Sequence, residues 1–342
     1  MAPRADAPRI LGLILLLHIS RFIAGAVTLG CLVAAPNQAH AQAYPTRPIR
    51  LVIPYAPGGP TDILGRAVAN KLGEYLGQQV VVENRAGVSA ILGTEFVAKA
   101  APDGYTLLLA DINHAVNPGL YKSLPYDSRN DFTPIGLIAS ASLALVVNAS
   151  LPARSAQELI ALAKSQPGKL SYGSAGAGNL THLAPELFKV KYGLDVLHVP
   201  YKGAGPALTD LVAGQTCFVI MGLSATKAFI DSGKLRALAI SGDKRARSMP
   251  DLPTFAEAGV PLPEMKVGSW WGLAGPARLP RDIVVKLNRS LAQTLLAPDV
   301  RARLEALNID PVQSNPEEFA SWLNAQADMW AEVVRRAKIT PE

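Results

Sequence analysis

Three short stretches of the chain concentrate the residue types that hold an anion without a dedicated cation. They are Tyr55-Ala56-Pro57-Gly58-Gly59-Pro60-Thr61-Asp62, the run from Ser174 to His182, and Tyr201-Lys202-Gly203-Ala204-Gly205-Pro206. Glycines let a backbone approach a ligand closely. The unpaired N–H groups at a helix start, at the positive end of its dipole, attract negative charge. The first stretch offers Tyr55, Gly58, Gly59, Thr61 and Asp62 as ligand contacts. The second offers Ser174, Ala175, Asn179, Thr181 and His182, and the third offers Tyr201, Lys202, Gly203 and Ala204. Asp111 and His114, in a polar segment after an apolar run, join the set. So do Met221, at the end of another run, and Trp270. One such loop is explained by a turn that merely needs Gly and Pro. The repetition of the device favours a carboxylate site.

Other chemistries fit less well. Ser174 and His182 would serve a hydrolase as nucleophile and base, but the chain has no Gly-x-Ser-x-Gly elbow. Gly176-Ala177-Gly178 matches a dinucleotide fingerprint only in part, because its third glycine is missing. No His, Cys, Asp and Glu spacing resembles a metal site. The reading is therefore of a binding protein, not an enzyme, with no cofactor.

Each of the three loops follows an apolar run and precedes a segment of helical spacing. Ile49 to Pro54 reads as a strand, and apolar residues at 63, 64, 67, 68, 72 and 76 then read as one helix face. Strands and helices keep alternating: Gln79 to Glu83 and Tyr105 to Ala110 as strands, with Leu92 to Ala100 as a helix between them. The alternation resumes between Leu170 and Ser241. This pattern predicts an α/β fold with parallel strands, whose ligands sit at the strands' carboxyl ends. Asp111 to His114 and Pro118 to Pro134 read as loop. Crossovers between two α/β units are expected near 139–147 and 265–269. Three helices, Arg281 to Leu296, Pro298 to Leu307 and Pro316 to Ala337, close the chain.

The chain has 342 residues and a net charge of +6. Its start carries Arg4 and Arg9, an interrupted apolar stretch, and Ala39-His40-Ala41, which matches an export-signal cleavage pattern. Cleavage after Ala41 is expected. A lipid on Cys31 is the minor alternative. The signal holds three arginines and one aspartate, so the mature chain keeps +4 of the +6. That charge is scattered, and a nucleic-acid partner is not expected. Cys217 is then the only cysteine, which excludes an intrachain disulfide.

Further segments stand out: Tyr-x-Pro-Gly-Gly-x-x-Asp at 55–62, Glu83-Asn84-Arg85, Ala101 to Leu107, and His114-Ala115-Val116-Asn117-Pro118, then Tyr172 to Gly176, Val199 to Gly203, Gly233 to Ala239 and Glu257 to Pro261. Together they resemble the Bug-type substrate-binding proteins of tripartite tricarboxylate transporters. The resemblance covers Tyr44 to Ile339. It implies a two-domain periplasmic-binding-protein (Venus flytrap) fold with two hinge crossovers. Domain 1 would comprise 42–142 and 268–342, domain 2 would comprise 143–267, and 1–41 would be the signal. It also implies a monomeric periplasmic receptor that holds a small organic carboxylate and delivers it to the transporter's membrane subunits. A sensor that binds a similar ligand for signalling is the alternative, and an exported hydrolase is a more distant one.

The chain departs from the family's pattern in two places. Ala86-Gly87 follows Arg85 where Pro-Gly is usual. Thr216-Cys217 and Met221-Gly222 stand where the family usually carries acids. An acid would pair with a ligand ammonium, whereas methionine offers adaptable apolar surface. With Trp270 or Trp271 nearby, Met221 predicts a preference for amine-free acids. The alternative is that Met221 packs in the core and another acid, such as Asp111, does the pairing.

Overall fold

The computed structural model describes residues 44–339 except Val88, Lys266 and Val267. The export signal and its cleavage after Ala41, with the Cys31 alternative, fall outside the described residues. Among the described residues, no helix is long and apolar enough to cross a membrane.

The first half opens with β1 (Ile49–Ile53), α1 (Pro60–Leu76), β2 (Val80–Asn84), α2 (Ile91–Ala98), β3 (Thr106–Asp111) and α3 (Ile112–Leu120). Then β4 (Phe132–Ala141) leads the chain across to β5 (Leu143–Asn148). The second half continues with α4 (Ala156–Ser165), β6 (Ser171–Ser174), α5 (Leu180–Tyr192), β7 (Leu197–Pro200), α6 (Ala204–Val212), β8 (Phe218–Gly222), α7 (Leu223–Asp231) and β9 (Leu235–Ile240). The chain returns as β10 (Ser269–Pro276), α8 (Arg281–Leu296), α9 (Pro298–Ala306), β11 (Asp310–Pro311) and α10 (Pro316–Ala337). Two sheets result, with orders β11-β4-β10-β3-β1-β2 and β7-β6-β8-β5-β9.

Register decides which sheet edges face each other. In the first sheet β1 runs parallel to β2 and β3, while β10 is antiparallel to both β3 and β4. Trp271 pairs with Asp111, and Ser269 with Ala141, so the ends of β3 and β4 and the start of β10 share one edge. In the second sheet Leu143 pairs with Gly222, and β8 runs parallel to β6, which runs parallel to β7. The carboxyl ends of β6, β7 and β8 therefore lie at the edge where β5 begins. Only Ser142 separates the end of β4 from the start of β5. The loops after β1 and β3 thus face the loops after β6, β7 and β8, as ligand sites in α/β sheets require.

Burial explains why these elements form. Helix α1 buries Leu64, Val68, Leu72 and Leu76 on one face, and it stops at Gly77, whose φ is 72°. Helix α10 starts with a reciprocal capping box between Asn315 and Glu318. It packs on α3, β4 and α5, so one apolar cluster runs from Leu108 through Phe319 and Trp330 to Leu183, Phe188 and Phe218.

Some elements differ from the sequence reading. The segment after Asp111 is a helix, α3, because the Asp111 side chain accepts from the Asn113 backbone N–H and caps it. Its Pro118 sits inside the helix and does not end it. Strand β4 extends from Phe132, paired along β10, where loop is expected up to Pro134. Helices α6 and α7 begin at Ala204 and Leu223, directly after their N-cap glycines Gly203 and Gly222. Phe255 to Ala258 forms turns.

Candidate functional site

The first wall is built at the β1–α1 junction. Gly59 is the N-cap of α1, Pro60 is its first residue, and no side chain caps this start. Pro60 has no N–H to lose, so the donors left to a ligand are those around Gly59 and Thr61. Asp62 is buried and does not face a ligand. Its Oδ2 accepts from the Gly58 N–H at 2.9 Å and from Arg66 at 3.0 Å, and its Oδ1 accepts from Asn84 at 2.9 Å. The Arg66 hydrogen bond, followed by those from Gly58 and Asn84, holds the Asp62 carboxyl down at about 2 against the cost of burial. Asp62 therefore braces the loop from inside. The Gly58 N–H, expected to hold ligand, is spent on it. Gly58 contributes its φ of 89° instead, a conformation glycine adopts without strain.

Five residues complete this wall. Thr61 Oγ1 accepts from Trp271 Nε1 at 3.0 Å. Trp271 is the register partner of Asp111, so their side chains share a sheet face. The Tyr55 hydroxyl accepts from Asn113 Nδ2 at 2.8 Å and hydrogen-bonds Asp111. Burial, then the Asp111 charge, pushes the Tyr55 hydroxyl well above its ordinary range. Burial raises the Asp111 carboxyl to about 6. Thr61, Trp271, Asp111, Asn113 and Tyr55 thus form a contiguous polar group at the carboxyl edge.

The second wall uses two loops in different ways. In the Ser174 to His182 loop many of the donors are bonded within the loop itself. Asn179 Oδ1 accepts from the backbone N–H of Thr181 and His182, capping α5. Thr181 Oγ1 accepts from Ala175 N at 2.7 Å, and His182 Nδ1 accepts from Gly178 N at 3.0 Å. Ser174 is fully buried, with its Oγ 2.7 Å from His198 Nε2. The Ser174 hydroxyl, the Ala175 N–H and the Thr181 hydroxyl, expected to hold ligand, are thus engaged within the protein, while the cap made by Asn179 uses only its Oδ1. Burial also leaves Ser174 inaccessible as a nucleophile. The loop instead carries the next one: Ser174 O accepts from Tyr201 N at 3.0 Å, and Ala175 O accepts from Gly203 N at 3.2 Å.

The braced loop leads into α6, whose N-cap Gly203 has φ 113°, again with no side-chain cap. Ala204 opens the helix. Lys202 is exposed beside it. Tyr201 is drawn back, donating to Asp210 at 2.7 Å, and burial with this bond raises its hydroxyl to about 12. The facing edges thus present α1 and α6 as helix starts without side-chain caps; α2 and α7 also lack such caps, but the first N–H of α7, on Leu223, is already bonded to the Ser142 carbonyl.

Three further expectations need correction. Met221 is buried among Val146, Leu208, Val219 and Leu223, so it packs in the core of the second sheet and does not line the cleft. Trp270 is fully buried against Phe319 and Trp322. Alternation along β10 sends its neighbour Trp271 to the opposite face, and Trp271 reaches the loop. His114 is buried, 4.6 Å from the Phe132 ring, with Nε2 on the Ser128 carbonyl, and burial lowers it to about 4. Helix α3 begins so soon after β3 that His114 turns inward. The sequence reading missed Asn113, Asn84 and Arg66 as supports. Asn84 lies in the Glu83-Asn84-Arg85 segment, whose composition signals nothing about its partner 22 residues away.

A family model described as tripartite tricarboxylate transporter family receptor matches residues 64–339. The protein BugT of Bordetella pertussis is 38% identical over 305 residues, covering 89% of this chain and 92% of BugT. The structure of Rpa4515 of R. palustris with adipate is 37% identical, with a TM-score of 0.74, covering 87% of this chain and 100% of that one. The structure of MatC of Rhodopseudomonas palustris with bound malate is 32% identical, with a TM-score of 0.71, covering 85% and 100%. The chain belongs to the tripartite tricarboxylate transporter receptor family, whose α/β solute-binding fold it shares.

Proposed function

We propose that this protein is a periplasmic receptor that holds a small organic carboxylate between its two sheets and passes it to the membrane subunits of a tripartite tricarboxylate-type transporter. The observation that carries the reading is the pair of helix starts without side-chain caps, α1 at Gly59 and α6 at Gly203, on facing carboxyl edges. Backbone donors and helix dipoles there suit an anion. Adipate in one relative and malate in another are small carboxylates, the class such donors suit. The two halves, 42–142 with 268–342 and 143–267, act as the domains of a hinge. The crossovers near 139–147 and 265–269 form the hinge, and ligand favours the closed form by touching both halves. The receptor acts as a monomer and carries out no chemistry on its ligand.

A thermal-shift panel tests this. A ligand bound only by the native state stabilises it by about 2.7 kcal/mol at a hundred times its dissociation constant. At least one small carboxylate at millimolar concentration should raise the melting temperature by several degrees, while neutral sugars and polyamines should not. A panel in which sugars or polyamines shift the melt and carboxylates do not contradicts the reading.

A further inference from the structure

Asp111 is the one acid at the first wall whose charge the protein leaves unbalanced. It ends β3, is 9% exposed, and shares a sheet face with Trp271. Its Oδ1 accepts from Asn113 N at 3.0 Å. Asn113 Nδ2 donates to the Tyr55 oxygen, so the Tyr55 proton is free to point at the Asp111 carboxyl. An ionised carboxylate offers about four acceptor positions, and these contacts fill two of them. Other buried acids are treated differently. Asp62 pairs with Arg66 and Glu186 with Lys189, whereas Asp111 makes no ion pair among the described residues. A carboxylate buried without a cation is costly unless a partner arrives.

The surroundings select the partner. A second ligand carboxylate brought to this point meets a like charge in a poorly solvated corner. An ammonium meets an opposite charge, with the aromatic rings of Trp271 and Tyr55 close by, and aromatic faces attract cations. We propose that the ligand is a carboxylate that also carries a protonated amine, with Asp111 as the ammonium's partner and the α1 and α6 starts holding the carboxylate. This rests on the carboxylate-receptor reading and narrows it. It replaces the amine-free preference read from Met221, which is buried in the core. The amine end faces Asp111 at the end of β3, not the position that Met221 occupies on β8.

Calorimetry on matched pairs tests the proposal: glutamate against glutarate, aspartate against succinate, and 4-aminobutyrate against butyrate. In the wild-type protein the amine-bearing member of at least one pair should bind ten times or more tighter than its partner. Asp111→Asn keeps a side chain able to cap α3. It should cut the affinity for the amine-bearing member at least tenfold and raise that of the amine-free one, inverting the selectivity. Amine-free members that bind as tightly or more tightly in the wild type overturn the proposal and leave the carboxylate reading standing. A variant that weakens both members equally overturns it too. Absence of binding by every member of every pair, with no carboxylate shifting the melt, overturns both. The wild-type comparison needs no variant, so a poorly folding Asp111→Asn does not shield the proposal.

Discussion

Gly59 and Asp62 stand three residues apart and do opposite work. Gly59 faces solvent in part and has φ −78°, with nothing within 4 Å of where a Cβ would sit. A side chain there meets no protein atom, so it enters only the space a ligand would use. Gly59→Val is expected to lower carboxylate affinity at least tenfold by calorimetry while costing about 1 kcal/mol or less in denaturant unfolding, the scale of a changed cap. Unchanged affinity in a folded variant removes this helix start from the site. Asp62 is the internal brace, so Asp62→Ala should lose about 1–3 kcal/mol through the Gly58 and Asn84 donors left without an acceptor. Both residues belong to a motif visible in the sequence. Their division of labour is not visible there, because it depends on which way each group points once α1 is formed. Trp270 and Trp271 show the same limit. Alternation sends the two rings to opposite faces, but only the pairing of Trp271 with Asp111 says which one reaches the loop.

The alternation of strands and helices was legible in the sequence because it rests on apolar spacing within single elements. The features that failed rest on contacts between elements. Helix α3 was hidden because its Pro118 and polar Asn113 and Asn117 read as loop, and the Asp111 cap overrides that composition. The second wall depends on a ring stack that no spacing predicts. His182 on α5 and His198 on β7 stack with centroids 3.9 Å apart, and Tyr172 stacks on His198 from β6. Burial, then the neighbouring His182, lowers His198 to about 4, and burial lowers His114 to a similar value. Both folded values lie below the ordinary histidine value, so between about pH 6.5 and 4 the unfolded chain binds more protons. Stability must then fall as pH falls through that window. Asp111, raised to about 6, acts in the opposite sense between about pH 6 and 4 and returns part of the loss. Denaturant unfolding should show a net loss of about 2 kcal/mol from pH 7 to pH 5. A flat or rising stability over that range contradicts burial of His114 and His198 in the neutral form.

At the scale of the whole molecule, two strands cross between the halves side by side. Ser241 Oγ accepts from Leu143 N at 2.8 Å, and a Cβ on Gly268 would sit 2.4 Å from the Ala141 carbonyl oxygen. The crossing is tight backbone against backbone, which suits a hinge of a few residues that absorbs the motion while both sheets stay rigid. Small-angle scattering should show a smaller radius of gyration with saturating carboxylate than without. Equal dimensions would mean that the halves do not close on ligand. The receptor reading itself is tested most directly by a crystal structure with a bound small carboxylate. The account predicts a carboxylate group accepting backbone hydrogen bonds from the starts of both α1 and α6, around Thr61 and Ala204. A ligand seated elsewhere, for instance in the cavity of about 410 Å³ lined by Ser142, Arg247 and Arg301, with both helix starts facing only water, would contradict it.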